Sequence, residues 1–283
     1  MTTNLLALET SGRSGSIALA KMPDSFETLR ESLGPGLQGL SSGSFSLRNL
    51  IDPMQVQSLE LDPSWGSAKT LAPAIQKLLA QDGLEPKDLH AIGVVQGPGS
   101  FTGLRVGIAT AKVMAYALRL PVVAIDTLDV IAQQVSDTWT DRGLESVDLF
   151  AVADAFRGQS FWAKYRLGAG ECVQTIPTRI DDNTWLAKEI AQQNRSGSCS
   201  VAGPSLQKLQ DCHRDFVTAQ SPTALGNSKL VWEDRNCGEP RASTVARLAW
   251  RAWLRQQTTE PFGLLPKYYR SSAAEEKQTA GLS

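Results

Sequence analysis

The stretch Gly97-Pro98-Gly99-Ser100-Phe101-Thr102-Gly103-Leu104-Arg105 is the part of this chain best suited to hold a ligand or admit a close neighbour. An apolar run, Ala91–Val95, precedes it, and a helix rich in small residues is expected over Val106–Leu118. A glycine-rich turn between strand and helix gathers backbone N–H groups, which suits an anion. It equally admits a neighbouring segment, because no Cβ stands in the way. Both uses stay open at this point. Glu9 and Asp154 each end an apolar run and precede a turn rich in Arg, Gly and Ser. Arg13 and Arg157, at the mouths of those turns, read as solvated or ion-paired residues, and Arg105 as a holder of the glycine turn or a partner of a carboxylate. Asp126 and Asp129 lie near a helix start, where the local dipole favours negative charge.

Other catalytic chemistry has little support. Ser100 and Thr102 have no histidine nearby in sequence to serve as base. The chain has only two histidines, His90 and His213. Cys172, Cys199, Cys212 and Cys237 are far apart and form no CxxC pair, so no zinc site is expected and the thiols read as reduced. No catalytic residue and no metal ligand is assigned.

These residues must be positioned by a chain of 283 residues, long enough for one large domain or two modest ones. The net charge is −1, and the arginines look scattered rather than striped, so no nucleic-acid footprint is read from it. No early stretch looks like a signal peptide and no run is long enough to cross a bilayer, so a soluble cytoplasmic protein is expected.

Leu5–Leu8 reads as a buried strand, Ser16–Ala20 as its hairpin return, and Val56–Leu61 as a third strand. Ser67 is placed to cap a helix with Leu71, Ile75, Leu78 and Leu79 on one stripe; Pro73 should kink it or begin its regular part. A third helix is expected over Leu128–Val135. Val147–Asp154 and its return Ser160–Tyr165 echo the first hairpin, a weak internal repeat. Trp185–Ile190 reads as helix after a cap at Asp181–Thr184, and Ser200–Gly203 as a short strand. Residues 207–240 show little periodicity. A helix over 243–257, capped by Ser243 or Thr244, carries Val245, Leu248, Ala249, Ala252 and Trp253 on its apolar side, leaving Trp250 partly exposed.

The glycine word resembles the signature of the bacterial TsaB (YeaZ) family, and four further segments agree in the same order. Leu5-Leu6-Ala7-Leu8-Glu9-Thr10-Ser11 is similar to the family's opening LALDTS. Leu120–Leu128 is similar to its PVVGVSTL, Ala153–Gly158 to its DARRG turn, and Pro266–Arg270 to its closing PxYLR. Residues 34–63 and 192–239 match least. Glu9 stands where the family has Asp, and Trp65-Gly66-Ser67 where it has a His-Ser-like pair.

The resemblance implies an α/β chain with a duplicated actin-like (ASKHA, ribonuclease H-like) fold, its mixed sheets flanked by helices. Residues 1–135 would form a first subdomain bearing partner-binding helices. Residues 136–271 would form a second, whose helix 243–257 is free to pack back on the first, and 272–283 a flexible tail. It implies a non-catalytic scaffold that pairs with a TsaD-like homologue and, through it, meets a TsaE-like ATPase. That assembly forms N6-threonylcarbamoyladenosine at position 37 of ANN-decoding tRNAs. The tRNA would be met indirectly, ATP and magnesium would act in the complex, and no cofactor would be tightly bound by this chain. The catalytic homologue's HxxxH metal motif cannot be formed by two histidines so far apart.

In an actin-like fold, acids placed like Glu9 and Asp154 can organise hydrated magnesium beside phosphates. Glu9, Ser11, Gly97, Gly99 and Asp154 are therefore the candidate cofactor positions, vestigial if the chain is a scaffold alone. The family's pairing surface maps to Ala68, Leu71, Ala72, Ile75, Ala109, Lys112, Val113 and Tyr116, and a homodimer of the isolated chain would use much the same surface. The alternatives are an actin-like small-molecule kinase or ATPase, and a peptidase or chaperone-like protein, for which no triad or zinc motif is present.

Overall fold

A computed structural model describes residues 2–12, 14–22, 54–141, 146–168, 171–218 and 230–269. Arg13, most of the 34–63 segment and the expected tail at 272–283 lie outside the described residues. The elements are, in order, β1 (Thr3–Glu9), β2 (Ser16–Met22), β3 (Gln55–Glu60), α1 (Ser67–Ala80), β4 (Ala91–Gly97), α2 (Phe101–Leu118), β5 (Val122–Asp126) and α3 (Thr127–Asp141). There follow β6 (Val147–Asp154), β7 (Gln159–Gly168), β8 (Glu171–Asp182), α4 (Asn183–Ser196), β9 (Cys199–Ala202), α5 (Leu206–Thr218), β10 (Leu230–Trp232), α6 (Arg235–Gly238) and α7 (Ala242–Leu254).

The chain divides into two compact units. One comprises Met1–Val130 with Pro240–Pro266, the other Ile131–Glu239 with Lys267–Ser283. In the first, the strand order is β3-β2-β1-β4-β5, with β1 antiparallel to β2 and parallel to β4. The second sheet repeats it as β8-β7-β6-β9-β10, again with an antiparallel hairpin and a parallel neighbour. The duplication expected from the two hairpins is therefore a property of the whole sheets. Glu9 lies opposite Ser16 at the end of the first hairpin, and Asp154 opposite Ser160 at the end of the second.

The continuous apolar runs of the central strands follow from burial on both faces. In β1, Leu6 and Leu8 join Leu71, Leu78, Ile92 and Ile108 under α1 and α2, whereas Leu5 and Ala7 join Val245, Ala249 and Trp250 under α7. Helix α7 touches all five strands of the first sheet. Gly93 in β4 makes room for it, since a Cβ there would lie 2.5 Å from Ala249 Cβ. In the second unit, Phe150, Val152 and Trp162 pack with Leu186, Ile190, Val201 and Leu209 from β9, α4 and α5.

Several local expectations change. Pro73 sits inside an uninterrupted α1. It is exposed, so water can satisfy the Lys69 carbonyl left without its helical donor. The N-cap of α1 is Gly66, with φ 68° and no side-chain cap, and Ser67 is the first helical residue. Helix α7 starts ahead of Ser243 and Thr244; the Ser16 hydroxyl of β2 accepts from Ala242 N at 2.9 Å instead. Trp250 is fully buried, because a helix laid across five strands is covered over a wide arc. The weakly periodic region after residue 206 contains α5, β10 and α6. Only Leu206 and Leu209 of α5 are buried, too narrow a stripe to read from sequence. Strand β8 gave no signal either, since it is a largely exposed edge strand with few apolar residues.

Candidate functional site

The glycine word forms a saddle over the turn after β1. Gly99, Gly103 and Gly107 recur every four residues, which puts Gly103 and Gly107 on one face of α2 with Gly99 just before it. A Cβ at Gly103 would lie 2.0 Å from the Thr10 carbonyl oxygen, and one at Gly107 2.2 Å from Thr10 Oγ1. At Gly99, whose φ is 158°, a Cβ would lie 2.6 Å from Ser11 O. Ser100 N donates to that same oxygen at 2.7 Å, and Ser100 Oγ caps the helix by accepting from Gly103 N at 3.2 Å. Of the two uses left open by the sequence, close approach is the one these three glycines serve. Gly97, with φ 122°, ends β4 at a register shift opposite Asp126.

Glu9 is fully buried at the same turn. Its Oε1 accepts from Ser11 N at 2.7 Å and from Ser11 Oγ at 2.5 Å. The structure thus brings Glu9, Ser11 and Gly99 together, with Thr10, which sequence reasoning did not single out, filling the glycine saddle.

In the second unit, Asp154 accepts from Phe156 N at 3.0 Å and forms an ion pair with Lys208 of α5 at 2.6 Å. Phe156, Arg157 and Gly158 all have positive φ in this turn. Gly203 directly follows β9, whereas Gly97 ends β4; with φ 137°, a Cβ at Gly203 would meet the Val152 carbonyl oxygen at 1.8 Å. Lys208 sits in the weakly periodic region and had no sequence signal. Of the residues expected at a nucleotide and its metal, Glu9, Ser11, Gly99 and Asp154 are engaged within their own units. The glycine saddle is filled by Thr10 and Ser11, Glu9 is engaged by Ser11, and Asp154 is held by a lysine.

No group of three or more His, Cys, Asp or Glu side chains among the described residues could hold a metal ion. Burial pushes the Cys199 thiol up to about 12, and raises that of Cys212, with nearby carboxylates adding to both. A thiol raised this way stays protonated at neutral pH and is a poor nucleophile. No helix of the described residues is long and apolar enough to cross a membrane.

The eight residues expected at a partner surface separate into two sets. Leu71 and Ile75 are 1% and 5% exposed and belong to the core between α1 and the first sheet. Ala68 and Ala72, three residues before Leu71 and Ile75 respectively, are exposed at the edge of that stripe. Ala109, Val113 and Tyr116 form an exposed stripe along α2, with Val113 68% and Tyr116 69% exposed. Lys112 beside them donates to the carbonyls of Phe262 and Leu264 at 3.1 and 3.2 Å. The Phe262 ring meets Tyr116 edge-on with centroids 5.4 Å apart. Phe262 is itself exposed and extends the apolar stripe, and Leu265 is exposed as well; no helical periodicity in that segment pointed to them.

Residues 65–278 match the family model described as TsaD: tRNA N6-adenosine threonylcarbamoyltransferase. The TsaB protein of Bacillus subtilis (strain 168), a tRNA threonylcarbamoyladenosine biosynthesis protein, is 34% identical over 208 residues, covering 72% of this chain and 80% of its own. That of Escherichia coli (strain K12) is 27% identical over 214 residues, covering 73% and 82%. YeaZ from Pseudomonas aeruginosa superposes with a TM-score of 0.61 over 94% of this chain and 99% of its own, at 22% identity. A second solved structure, of an uncharacterized protein with similarity to peptidase YEAZ from Pseudomonas aeruginosa, gives 0.62 over 95% and 100%, at 24% identity. These two likenesses bear on the fold, which is the duplicated α/β arrangement of the actin-like class. The family model and the Bacillus subtilis relative carry the assignment: the chain matches the TsaD model over more than half of its length and belongs to the TsaB family.

Proposed function

We propose that this chain is a non-catalytic subunit in the biosynthesis of N6-threonylcarbamoyladenosine on tRNA. It pairs with a TsaD-like homologue, and the TsaE-like ATPase joins through that pair. The acyl transfer to N6 of adenosine 37 takes place on the partner, where ATP and magnesium are used. This chain supplies a surface and no nucleophile. Glu9, Ser11, Gly97, Gly99 and Asp154 then shape two turns, and the kinase reading loses the open carboxylates it requires.

The observation that carries this reading, beside family membership, is the exposed stripe Ala109, Val113 and Tyr116 on α2. A desolvated helix face of small and apolar residues suits close packing against another helix. Ala68 and Ala72 on α1 extend it, and Lys112 acts at its border by holding the segment around Phe262 and Leu264.

Ala109→Glu tests it. The variant should keep the melting curve of the parent, because residue 109 is exposed. Its affinity for the TsaD-like protein should fall by about 2–4 kcal/mol, through an unpaired charge in a desolvated interface. tRNA modification should fall with the lost complex and recover at saturating partner. A folded variant of unchanged affinity would overturn the surface. Micromolar, magnesium-dependent ATP binding with turnover by the chain alone would overturn the non-catalytic assignment.

A further inference from the structure

Phe262 is fixed through its backbone, yet its ring is left in water. The ring is 68% exposed, whereas Leu264, two residues on, is 1% exposed in the core under α1 and α2. Lys112 Nζ donates to the carbonyls of both residues, at 3.1 and 3.2 Å. Between them, Gly263 N donates to Glu260 Oε2 at 2.6 Å, and Leu264 N closes a turn onto Pro261 O at 3.4 Å. Pro261 and Pro266 fix φ on either side. The ring's neighbour is Tyr116 of α2, met edge-on with centroids 5.4 Å apart and itself 69% exposed. That contact orients two rings and buries little of either.

The pair continues the outward stripe of α2. The exposed residues in the C-terminal half of that helix are Ala109, Val113, Tyr116 and Ala117, a spacing that keeps them on one face. All are apolar. Lys112 is the one charged residue from 106 to 118, and its ammonium group is turned onto the strap carbonyls. Arg105 and Arg119 stand beyond the two ends of the stripe. An apolar centre with charges at its margin is the anatomy of a protein–protein interface, and exposed aromatics held in place are its usual anchors. A ring whose backbone is already fixed has little further ordering to undergo on binding.

We propose that the strap is a second docking element for the TsaD-like partner, with Phe262 and Tyr116 as a joint aromatic anchor and Leu264 as the residue that positions it. The inference rests on the reading of this chain as a subunit that pairs through α2, and adds to that helix a segment from the far end of the chain. Continuity with the α2 stripe selects the occupant, because a partner helix laid along Ala109, Val113 and Tyr116 meets Phe262 at the same ring. The chemistry it must offer is an apolar pocket: Lys112 is satisfied by carbonyls of its own chain and asks for no carboxylate across the interface. Leu264 acts through the strap alone, since its side chain lies in the core.

The test titrates the full chain with the TsaD-like protein by calorimetry, and takes a melting curve for every variant. Phe262→Ala and Tyr116→Ala should each weaken pairing about tenfold or more, with little change in melting, since both rings are mostly in water. Phe262→Tyr should pair like the parent. The two alanine changes together should lose less than the product of the single losses, because each ring orients the other. Leu264→Ala separates positioning from contact: it should weaken pairing in the parent and change nothing further in the Phe262→Ala background, and Leu264→Val replaces it if the alanine variant does not fold. Hydrogen exchange of a peptide spanning 255–266 in the parent should slow when the partner is saturating. Parent-like affinity of folded Phe262→Ala, with Ala109→Glu weakened, overturns the proposal and leaves α2 as the docking element. Parent-like affinity of both variants, or a parent chain that does not pair at all, overturns the docking reading and this proposal with it. Self-association lost in Phe262→Ala while partner affinity is unchanged assigns the ring to a second copy of the chain, and also overturns it. If Phe262→Ala fails to fold, exchange in the parent decides: a strap that exchanges equally fast with and without partner lies outside the interface.

Discussion

Gly103 shows how a residue that looks like ligand chemistry can be a packing requirement. Replacing a helical glycine by alanine ordinarily gains up to about 1 kcal/mol. Here the added Cβ would lie 2.0 Å from the Thr10 carbonyl oxygen, a backbone atom that cannot swing away. Overpacking of that kind costs about 1–3 kcal/mol and should outweigh the helical gain. Gly103→Ala is expected to lower the urea midpoint by the equivalent of about 1–2 kcal/mol at constant m-value. Gly197 is the control: it ends α4 in extended backbone with φ 176°, and a Cβ added there would have nothing within 4 Å. Gly197→Ala should be neutral or gain about 0.4–1 kcal/mol. His213 gives a pH dependence. Half-buried and edge-on to Trp232 with centroids 5.5 Å apart, its pKa lies below the ordinary 6.5 because burial disfavours the charged ring. The unfolded chain therefore takes up this proton at higher pH than the native one does. The contribution is fully present above about 6.5 and is lost as the pH falls through the lower native value. Stability measured from about pH 7.5 downward should decline less steeply in His213→Phe than in the parent; parallel curves would remove His213 from the account.

At the scale of elements, the segment after α7 behaves as a strap across the first unit. Thr259 N donates to Val122 O at 2.7 Å, so the strap bridges to β5, the edge strand of its sheet. Leu264 is buried in the core under α1 and α2, and Lys112 holds the carbonyls on either side of Gly263. Lys112 therefore supports the docking stripe from its border by fixing Phe262 against Tyr116. Lys112→Met keeps the aliphatic stem and removes both charged donors. It should cost about 1–2 kcal/mol. It should also speed hydrogen exchange of a peptide spanning 255–266 several-fold, while the exchange of β1 and β4 stays that of the parent. Unchanged exchange in the strap would show that Leu264 alone secures it.

For the whole molecule, duplication is the organising fact. The two sheets share strand order, an antiparallel hairpin that ends with an acid opposite a serine, and a glycine turn at the end of the fourth strand of each. They differ in how the terminal acid is held, by a neighbouring serine at Glu9 and by a lysine at Asp154. An aspartate and a distant lysine can satisfy each other at an exposed turn, whereas a fully buried glutamate needs donors within its own loop. The α7 helix, late in sequence, completes the first unit, so that unit depends on chain from both ends.

The sequence by itself determined the central strands and the two hairpins, because burial on both faces demands continuous apolar runs that few other elements produce. It determined α4 and a cap region at Asp181–Thr184, within which the Asp182 carboxylate accepts from Thr184 N at 2.8 Å, and it carried the family words. The spacing of Gly99, Gly103 and Gly107 was visible there as well, although its use was not. Only the tertiary structure decided that Thr10 fills that spacing, since a close approach needs two segments and the sequence presents one. Only it separated Leu71 and Ile75 from Ala68 and Ala72: an apolar stripe announces that something covers it, and the first sheet, once in place, is what does. The cap on α7 came from Ser16, 226 residues away, beyond any local pattern.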